Sequence, residues 1–292
     1  MGDPSQTMRR QTIDYQDNTY QLKNRLTTIL LLGIDQRQEE ARSGIQYRHG
    51  GQCDFLLLVV VDDNAKTVST LQINRDSMTE LKVLNLLGQS IGTQTAQICL
   101  AYAYGDGGAV SCGLAVDAVR NHLMNTPIDH YFAMDLDGIS VMNDFLGGIE
   151  VTLEDDFSVF DSEMTPGKTI RLQGKQAEIF LRSRHYVGDG SNALRMKRQK
   201  LYLGLAKDAL ASRIENSPSY LLDLFDALTP YATTDMNRGF IINLSNRCNR
   251  YELLPETEIT GTSKVGEDGY LEFYADETSL MDAILTTFYE PI

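Results

Sequence analysis

The chain has 292 residues, of which 42% are hydrophobic and 23% are charged, and its formal net charge is −14. This composition is typical of a folded globular protein and excludes a disordered chain. The excess of acidic residues disfavours binding to nucleic acid, because nucleic acid phosphates repel a negatively charged protein. The sequence contains no apolar run of the roughly 20 residues that a transmembrane helix requires.

The first part of the chain is polar. Residues 1–25 are predicted to be a linker or residues added by cloning, and residues 26–292 are predicted to form the folded domain. A membrane anchor upstream of Met1 would be followed by such a linker.

Strand and helix patterns alternate along the rest of the chain. The apolar run at residues 55–61 predicts a strand that is covered on both faces. Neighbouring strands are predicted at residues 28–34 and 67–73, and the strand at 67–73 is predicted to form a hairpin with the strand at 55–61. The later predicted elements are a helix over 111–124 capped by Ser111, a strand over 130–136, a helix over 138–146, a strand from 149, a helical or mixed segment over 173–180, a long helix over 192–213 and a strand around 270–274. This alternation predicts one α/β domain with a mixed sheet covered by helices.

The densest group of cations lies between residues 182 and 198. Arg182 and Arg184 would point to one face if that segment is extended. On the helix that follows, a spacing of i, i+3, i+4 and i+7 places four side chains on one stripe, namely Arg195, Arg198, Gln199 and Tyr202. The helix start at Ser191 would add free backbone N–H groups. Guanidinium groups bind phosphate oxygens in bidentate geometry, so the cluster predicts an anion site. The alternative is a solvated basic face with ion pairs to the many acids.

Acidic residues occur where the first three predicted strands begin or end. Asp35 follows the first strand, Asp54 precedes the second, and Asp76 follows the third next to Arg75. Carboxylates beside a pyrophosphate would repel it unless a hard cation lay between them, and Mg²⁺ binds one or two carboxylates together with phosphate oxygens. The alternative role for these aspartates is turn formation or helix capping.

Two cysteines flank a glycine-rich turn at residues 104–108. A disulfide between Cys99 and Cys112 is predicted if the domain is extracytoplasmic, and two buried free thiols are the alternative. The sequence has no Gly-x-Ser-x-Gly, Walker or His-Glu-x-x-His motif, which argues against the enzyme classes that depend on them.

Seven short patterns follow one another between about residues 26 and 205. They are Leu31-Leu32-Gly33-Ile34-Asp35-Gln36-Arg37; Cys53-Asp54-Phe55-Leu56; Asn74-Arg75-Asp76; Leu100-Ala101-Tyr102-Ala103-Tyr104-Gly105; Ile128-Asp129-His130-Tyr131 with Leu146-Gly147-Gly148-Ile149; Leu172-Gln173-Gly174-Lys175-Gln176-Ala177 with Arg182-Ser183-Arg184; and Arg195-Met196-Lys197-Arg198-Gln199. In this order they resemble the LytR-CpsA-Psr family. The chain departs from the family pattern at Cys53, where the family has serine, and in a long loop between Arg37 and Asp54.

The resemblance implies a fold and an activity. The expected fold is a single domain whose central mixed sheet is covered by helices on both faces and which contains an apolar lipid channel. The expected activity is an Mg²⁺-dependent phosphotransferase that moves a glycopolymer, teichoic acid or capsule-like, from a polyprenyl-pyrophosphate lipid to peptidoglycan. Such proteins act at the extracytoplasmic face of the bacterial cell membrane, held there by an N-terminal anchor that is not present in this chain.

The resemblance also implies residue roles. The expected metal-side acids are Asp35 and Asp54. The expected contacts to the pyrophosphate are Arg75, Arg182, Arg184, Arg195, Arg198 and Gln199. The expected catalytic residues are Arg75 and the two acids that could accept a proton, Asp35 and Asp76, between which the sequence does not choose. The rival functions are hydrolysis of polyprenyl pyrophosphate by water and a non-enzymatic envelope regulator or lipid binder.

Overall fold

The structure is a computed structural model that describes residues 10–37, 51–85, 87–190, 192–217 and 219–292. Most of the long loop between Arg37 and Asp54, and the predicted helix start at Ser191, lie outside the described residues. No helix in the described ranges is long and apolar enough to cross a membrane.

Strands and helices alternate through the described residues. The strands are β1 (Thr12–Tyr15), β2 (Asn18–Leu22), β3 (Leu26–Ile34), β4 (Cys53–Asp62), β5 (Thr67–Ile73), β6 (Met78–Leu84), β7 (Ser90–Gln97), β8 (His130–Met134), β9 (Glu150–Thr152), β10 (Thr169–Arg171), β11 (Ala232–Thr234), β12 (Glu252–Leu253), β13 (Thr257–Glu258), β14 (Gly261–Val265), β15 (Leu271–Ala275) and β16 (Tyr289–Pro291). The helices are α1 (Leu100–Ala103), α2 (Ala109–His122), α3 (Asp137–Phe145), α4 (Lys175–Arg182), α5 (Asn192–Asn216), α6 (Tyr220–Leu228), α7 (Arg238–Cys248) and α8 (Glu277–Phe288).

A seven-stranded mixed sheet forms the centre of the fold. Its order is β11-β8-β3-β4-β5-β12, and β13 also pairs with β5. Strand β4 is antiparallel to both of its neighbours, β3 and β5, whereas β8 is parallel to β3. The mixed sheet predicted from the alternating pattern is therefore confirmed.

The central strands are apolar on both faces. Leu30 and Leu32 of β3 pack into a core cluster that includes side chains of α2 and α8. Ile29, which precedes Leu30 in the strand, packs on the opposite side with Leu244 of α7. Because successive side chains of a strand point to opposite faces, this arrangement places helices on both sides of the sheet.

A second core cluster fixes the segment that carries the arginines. Phe180 of α4 and Tyr202 of α5 are buried in it, together with Val187 from the loop between the two helices. These anchors hold the end of α4 and the start of α5 against the strand pair β9–β10. The backbone around Arg182 and Arg195 is therefore attached to a packed core.

The N-terminal region differs from its prediction. Strands β1 and β2 form a three-stranded sheet with β16, and Ile13 and Tyr20 pack against the main core. The expected linker at residues 1–25 is thus wrong for residues 10–25, while residues 1–9 lie outside the described residues. The pairing partner, β16, is at the other end of the chain, which is why local sequence did not reveal the sheet.

Two local predictions also need correction. Helix α2 begins at Ala109 after Gly108, and the side chain of Ser111 accepts a hydrogen bond from Gly107 N at 2.8 Å instead of capping the helix. Arg182 is the last residue of α4, with the extended residue Ser183 after it, so Arg182 and Arg184 are not on one continuous extended segment.

Candidate functional site

The acids at the strand ends lie along one edge of the central sheet. Asp35 directly follows β3, Asp54 is the second residue of β4, and Asp76 lies just beyond β5. Since β4 is antiparallel to both neighbours, its start lies beside the ends of β3 and β5. The structure therefore brings these three predicted residues to the same edge.

Arginines from three parts of the chain pair with these acids. Arg182 binds Asp35, and Arg75 binds Asp54. Arg195 Nη1 lies 3.5 Å from Asp54 Oδ2. Three of the predicted cations, Arg75, Arg182 and Arg195, thus form one cluster with the predicted acids.

Two guanidinium N–H groups in this cluster are buried and have no acceptor among the residues that the structure describes. They are the Nε atoms of Arg75 and Arg195, although Arg75 Nε lies 3.3 Å from Asp76 Oδ1, outside hydrogen-bonding geometry. Burial lowers the pKa of Arg195, and the nearby Arg75 and Arg184 act in the same direction. Buried polar groups normally have partners, so these donors favour a site for anionic oxygens.

Arg184 and Gln199 are placed differently from each other. Arg184 is exposed, makes no ion pair with any residue that the structure describes, and is close enough to Arg195 to affect its pKa. Gln199 donates from Nε2 to Leu181 O at 3.2 Å and faces the cavity described below. Of the two, only Gln199 is among the described residues that line the cavity.

The prediction that Arg198 contacts pyrophosphate is contradicted by its position. The residue is only 7% exposed and does not face the cavity. Its Nε donates to Phe180 O at 3.0 Å, its Nη1 binds Asp155 at 3.1 Å, and its Nη2 donates to Ser183 O. Each of its three side-chain nitrogens donates to an acceptor inside the protein, and the guanidinium group lies over the ring of Phe157 in the second core cluster.

Asp76 is buried behind Arg75 and is 7% exposed. Burial raises the pKa of Asp76, and the charge of Arg75 opposes that shift. Asp135, a residue that was not predicted from the sequence, directly follows β8 and faces the cavity. Burial raises its pKa to about 6, and Gly138 N donates to its Oδ1 at 3.2 Å. Its position after a strand parallel to β3 was the signal that could have identified it.

Glu178 was also missed. Its Oε1 accepts a hydrogen bond from Arg182 Nη1 at 3.2 Å and another from Arg37 Nη2 at 2.5 Å. Arg37 Nη1 in turn binds Asp137 at 2.7 Å. The spacing of Glu178 and Arg182, four residues apart on a helix, is the available sequence signal.

A cavity of about 870 Å³ lies between the sheet and the helices α5, α6 and α7. Its walls are mainly apolar, with Leu31 and Phe132 on the sheet and Leu203, Leu210 and Leu224 on the helices. Along β3 it extends from Asp35 to Ile29, which is roughly 20 Å at the usual rise of a strand. We call the part lined by Asp35, Asp54, Arg182, Arg195 and Gln199 the charged end of the cavity.

The donor set at the charged end fits a metal only together with a ligand. The described residues contain no group of three or more His, Cys, Asp or Glu side chains that could hold a metal ion. Asp35 and Asp54 offer two carboxylates, which is enough for Mg²⁺ when phosphate oxygens and water complete the coordination. The residues present therefore fit a metal that arrives with a phosphorylated substrate.

The disulfide prediction is wrong, and its alternative is confirmed. All four cysteines are free, and Cys99 and Cys112 are both buried. Cys99 Sγ accepts a hydrogen bond from Arg75 Nη2 at 3.6 Å, whereas Cys112 lies on α2 in the main core. The two thiols have separate environments, and the turn between them is closed by backbone and Ser111 hydrogen bonds instead.

Curated relatives of the chain are named polyisoprenyl-teichoic acid–peptidoglycan teichoic acid transferase TagU. The protein of that name from Enterococcus faecalis is 29% identical over 214 residues, which is 72% of this chain and 61% of that protein. The match thus spans about three fifths of the relative. The one from Halalkalibacterium halodurans is 26% identical over 266 residues, covering 90% of this chain and 79% of that protein.

The fold is also found in solved structures. The crystal structure of Bacillus subtilis TagV superposes with a TM-score of 0.65 at 24% identity, covering 91% of this chain and 97% of TagV. The sequence profile of the LytR_cpsA_psr family matches residues 3–287, which is nearly the whole chain. The chain therefore belongs to the LytR-CpsA-Psr family.

Proposed function

We propose that the protein transfers a teichoic-acid-type glycopolymer from a polyprenyl-pyrophosphate lipid to peptidoglycan. The observation that carries this proposal is the position of the charged end, where a long apolar cavity meets Arg182 and Arg195. A polyprenyl pyrophosphate has the same two parts, a long apolar chain and a compact polyanion. The names of the TagU relatives support teichoic acid over a capsule polymer as the cargo.

The cavity walls suit the prenyl chain. Burial of each CH₂ group stabilises a complex by about 0.8 kcal/mol, so many isoprene units can supply most of the binding free energy. The walls offer few groups for directional bonds, which suits a substrate held by its apolar surface.

The charged end suits the pyrophosphate. In the free protein Arg182 and Arg195 are paired with Asp35 and Asp54, and phosphate oxygens would take over these donors. The two aspartates would then be left beside an anion, and Mg²⁺ between them and the phosphate would compensate the repulsion. When bound, Mg²⁺ would stabilise negative charge on the phosphate oxygens.

The proposed reaction is phosphoryl transfer. An acceptor hydroxyl forms a bond to the sugar-linked phosphorus, the bond from that phosphorus to the bridging oxygen breaks, and polyprenyl phosphate leaves. The arginines would stabilise the charge that develops on the leaving group. Of the two acids predicted to take the hydroxyl proton, Asp35 faces the cavity whereas Asp76 is buried behind Arg75, so the geometry favours Asp35.

The proposal includes a place of action. Both the lipid-linked polymer and peptidoglycan are cell-envelope components, so the domain would work at the extracytoplasmic face of the membrane. Nucleic acid is not among the proposed partners, in keeping with the net charge of −14.

Product analysis tests the proposal. The protein is incubated with a polyprenyl-pyrophosphate-linked saccharide and Mg²⁺, with and without a peptidoglycan oligomer, and products are identified by mass spectrometry. We expect a phosphodiester-linked adduct on the oligomer only when both substrates and Mg²⁺ are present. Equal release of polyprenyl phosphate without the oligomer would identify a hydrolase. Tight binding with no turnover would identify a lipid binder or regulator.

A further inference from the structure

Glu178 connects two arginines at the border of the charged end. One of its oxygens accepts hydrogen bonds from both Arg182 and Arg37, and its side chain is 13% exposed. Arg182 uses Nη1 for this contact and Nη2 for Asp35. The two terminal nitrogens of the Arg182 guanidinium group, Nη1 and Nη2, therefore donate to two different acids.

These two acids differ in their relation to the cavity. Asp35 faces the charged end, whereas Glu178 is not part of the cavity wall. A pyrophosphate that enters the charged end can displace Asp35 from Nη2, but it need not disturb the bond between Glu178 and Nη1. The Arg182 side chain would then stay oriented while its second nitrogen changes partner.

We propose that Glu178 is a positioning residue that presents Arg182 to the pyrophosphate, a role that rests on the proposed function. Arginine has a long, flexible side chain, and fixing it before the ligand arrives lowers the entropic cost of binding. Arg37, which follows β3, ties Glu178 to the edge of the sheet and thereby ties α4 to the strand that carries Asp35.

Electrostatics alone makes the opposite prediction for Glu178. A carboxylate next to an anion site repels the anion, so its removal would strengthen binding if charge were its only effect. Loss of positioning would weaken binding instead. The sign of the change in affinity therefore distinguishes the two roles.

Isothermal titration calorimetry with farnesyl pyrophosphate, which has a prenyl chain and a pyrophosphate, provides the test. We expect Glu178→Ala to weaken binding about tenfold, which corresponds to ~1.4 kcal/mol and is of the order of one charge-assisted hydrogen bond. Glu178→Gln keeps an acceptor oxygen and should restore part of the affinity. In an Arg182→Ala background, Glu178→Ala should cause no further loss, because the residue acts through Arg182.

Asp155→Ala is the matched control, since Asp155 also binds an arginine near α5 but that arginine, Arg198, points into the core. It should lower the melting temperature without weakening farnesyl pyrophosphate binding by the folded protein. Unchanged or tighter binding by Glu178→Ala, or full additivity with Arg182→Ala, would overturn the positioning role. If the unmodified protein binds farnesyl pyrophosphate but shows no polymer transfer, the proposed function fails while the positioning role stands. If the unmodified protein does not bind the probe, both fail.

Discussion

Replacement of Arg198 by methionine should damage the fold and spare the ligand site. The change removes three hydrogen bonds and leaves Asp155 without its cation in a poorly solvated position. Breaking a buried ion pair by removing one partner costs about 3–5 kcal/mol. For a domain of this size each kcal/mol lowers the melting temperature by roughly 2–4 °C, so we expect a decrease of roughly 6–20 °C.

Circular dichroism melting and farnesyl pyrophosphate titration at low temperature measure the two effects separately. Arg195→Met is the matched comparison on the same helix. Asp54 keeps its contact with Arg75 in that variant, so stability should change less, while affinity should fall at least tenfold. Weakened binding by Arg198→Met at an unchanged melting temperature would contradict a structural role for Arg198, because it would place Arg198 at the ligand.

Three further predictions concern the cavity, the exposed arginine and pH. Leu203→Glu places a charge in the cavity wall and should weaken binding of a fluorescent prenyl pyrophosphate at least tenfold. Leu201→Glu, at a site that is 45% exposed on the same helix, should not weaken binding. Equal effects of the two substitutions would count against the cavity as the lipid site. Arg184→Ala should weaken pyrophosphate binding severalfold at an unchanged melting temperature, and unaltered affinity in calorimetry would remove Arg184 from the site. Burial lowers the pKa of His122 to about 4, so this side chain takes up a proton at higher pH in the unfolded chain than in the folded one. As the pH falls from 7.5 to 5, His122 should therefore lower the free energy of unfolding by about 2 kcal/mol. Asp135, with its raised pKa, changes the stability in the opposite direction over this pH range. Urea unfolding of His122→Gln and of the unmodified protein at each pH isolates the contribution of the histidine. Parallel pH dependences of the two free energies of unfolding would contradict the prediction.

The sequence was sufficient to predict the central strands and the acids at their ends. The apolar runs of β3 and β4 and the alternating pattern of β5 predict three strands, and the antiparallel pairing of β3 with β4 places Asp35 and Asp54 together. Arg182 and Arg195 were predicted because their chemistry and spacing match an anion site.

The misses have a common physical cause, which is contact between residues far apart in the chain. The contact of Glu178 with Arg37 and the pairing of β2 with β16 both join residues far apart in the chain, so neither contact appears in a local pattern. Arg198 was assigned to the wrong face because residues three apart on a helix differ by about 60° in direction, which is enough to separate a cavity wall from a core. The free thiols depend on where Cys99 and Cys112 pack, which spacing does not specify.

A crystal structure with a bound prenyl pyrophosphate and Mg²⁺ tests the central claim most directly. We expect continuous density for the apolar chain between the sheet and α5–α7, with the pyrophosphate contacting Arg182 and Arg195 and with Arg182 still bound to Glu178. A pyrophosphate bound away from these arginines, or a prenyl chain outside the cavity, would contradict it.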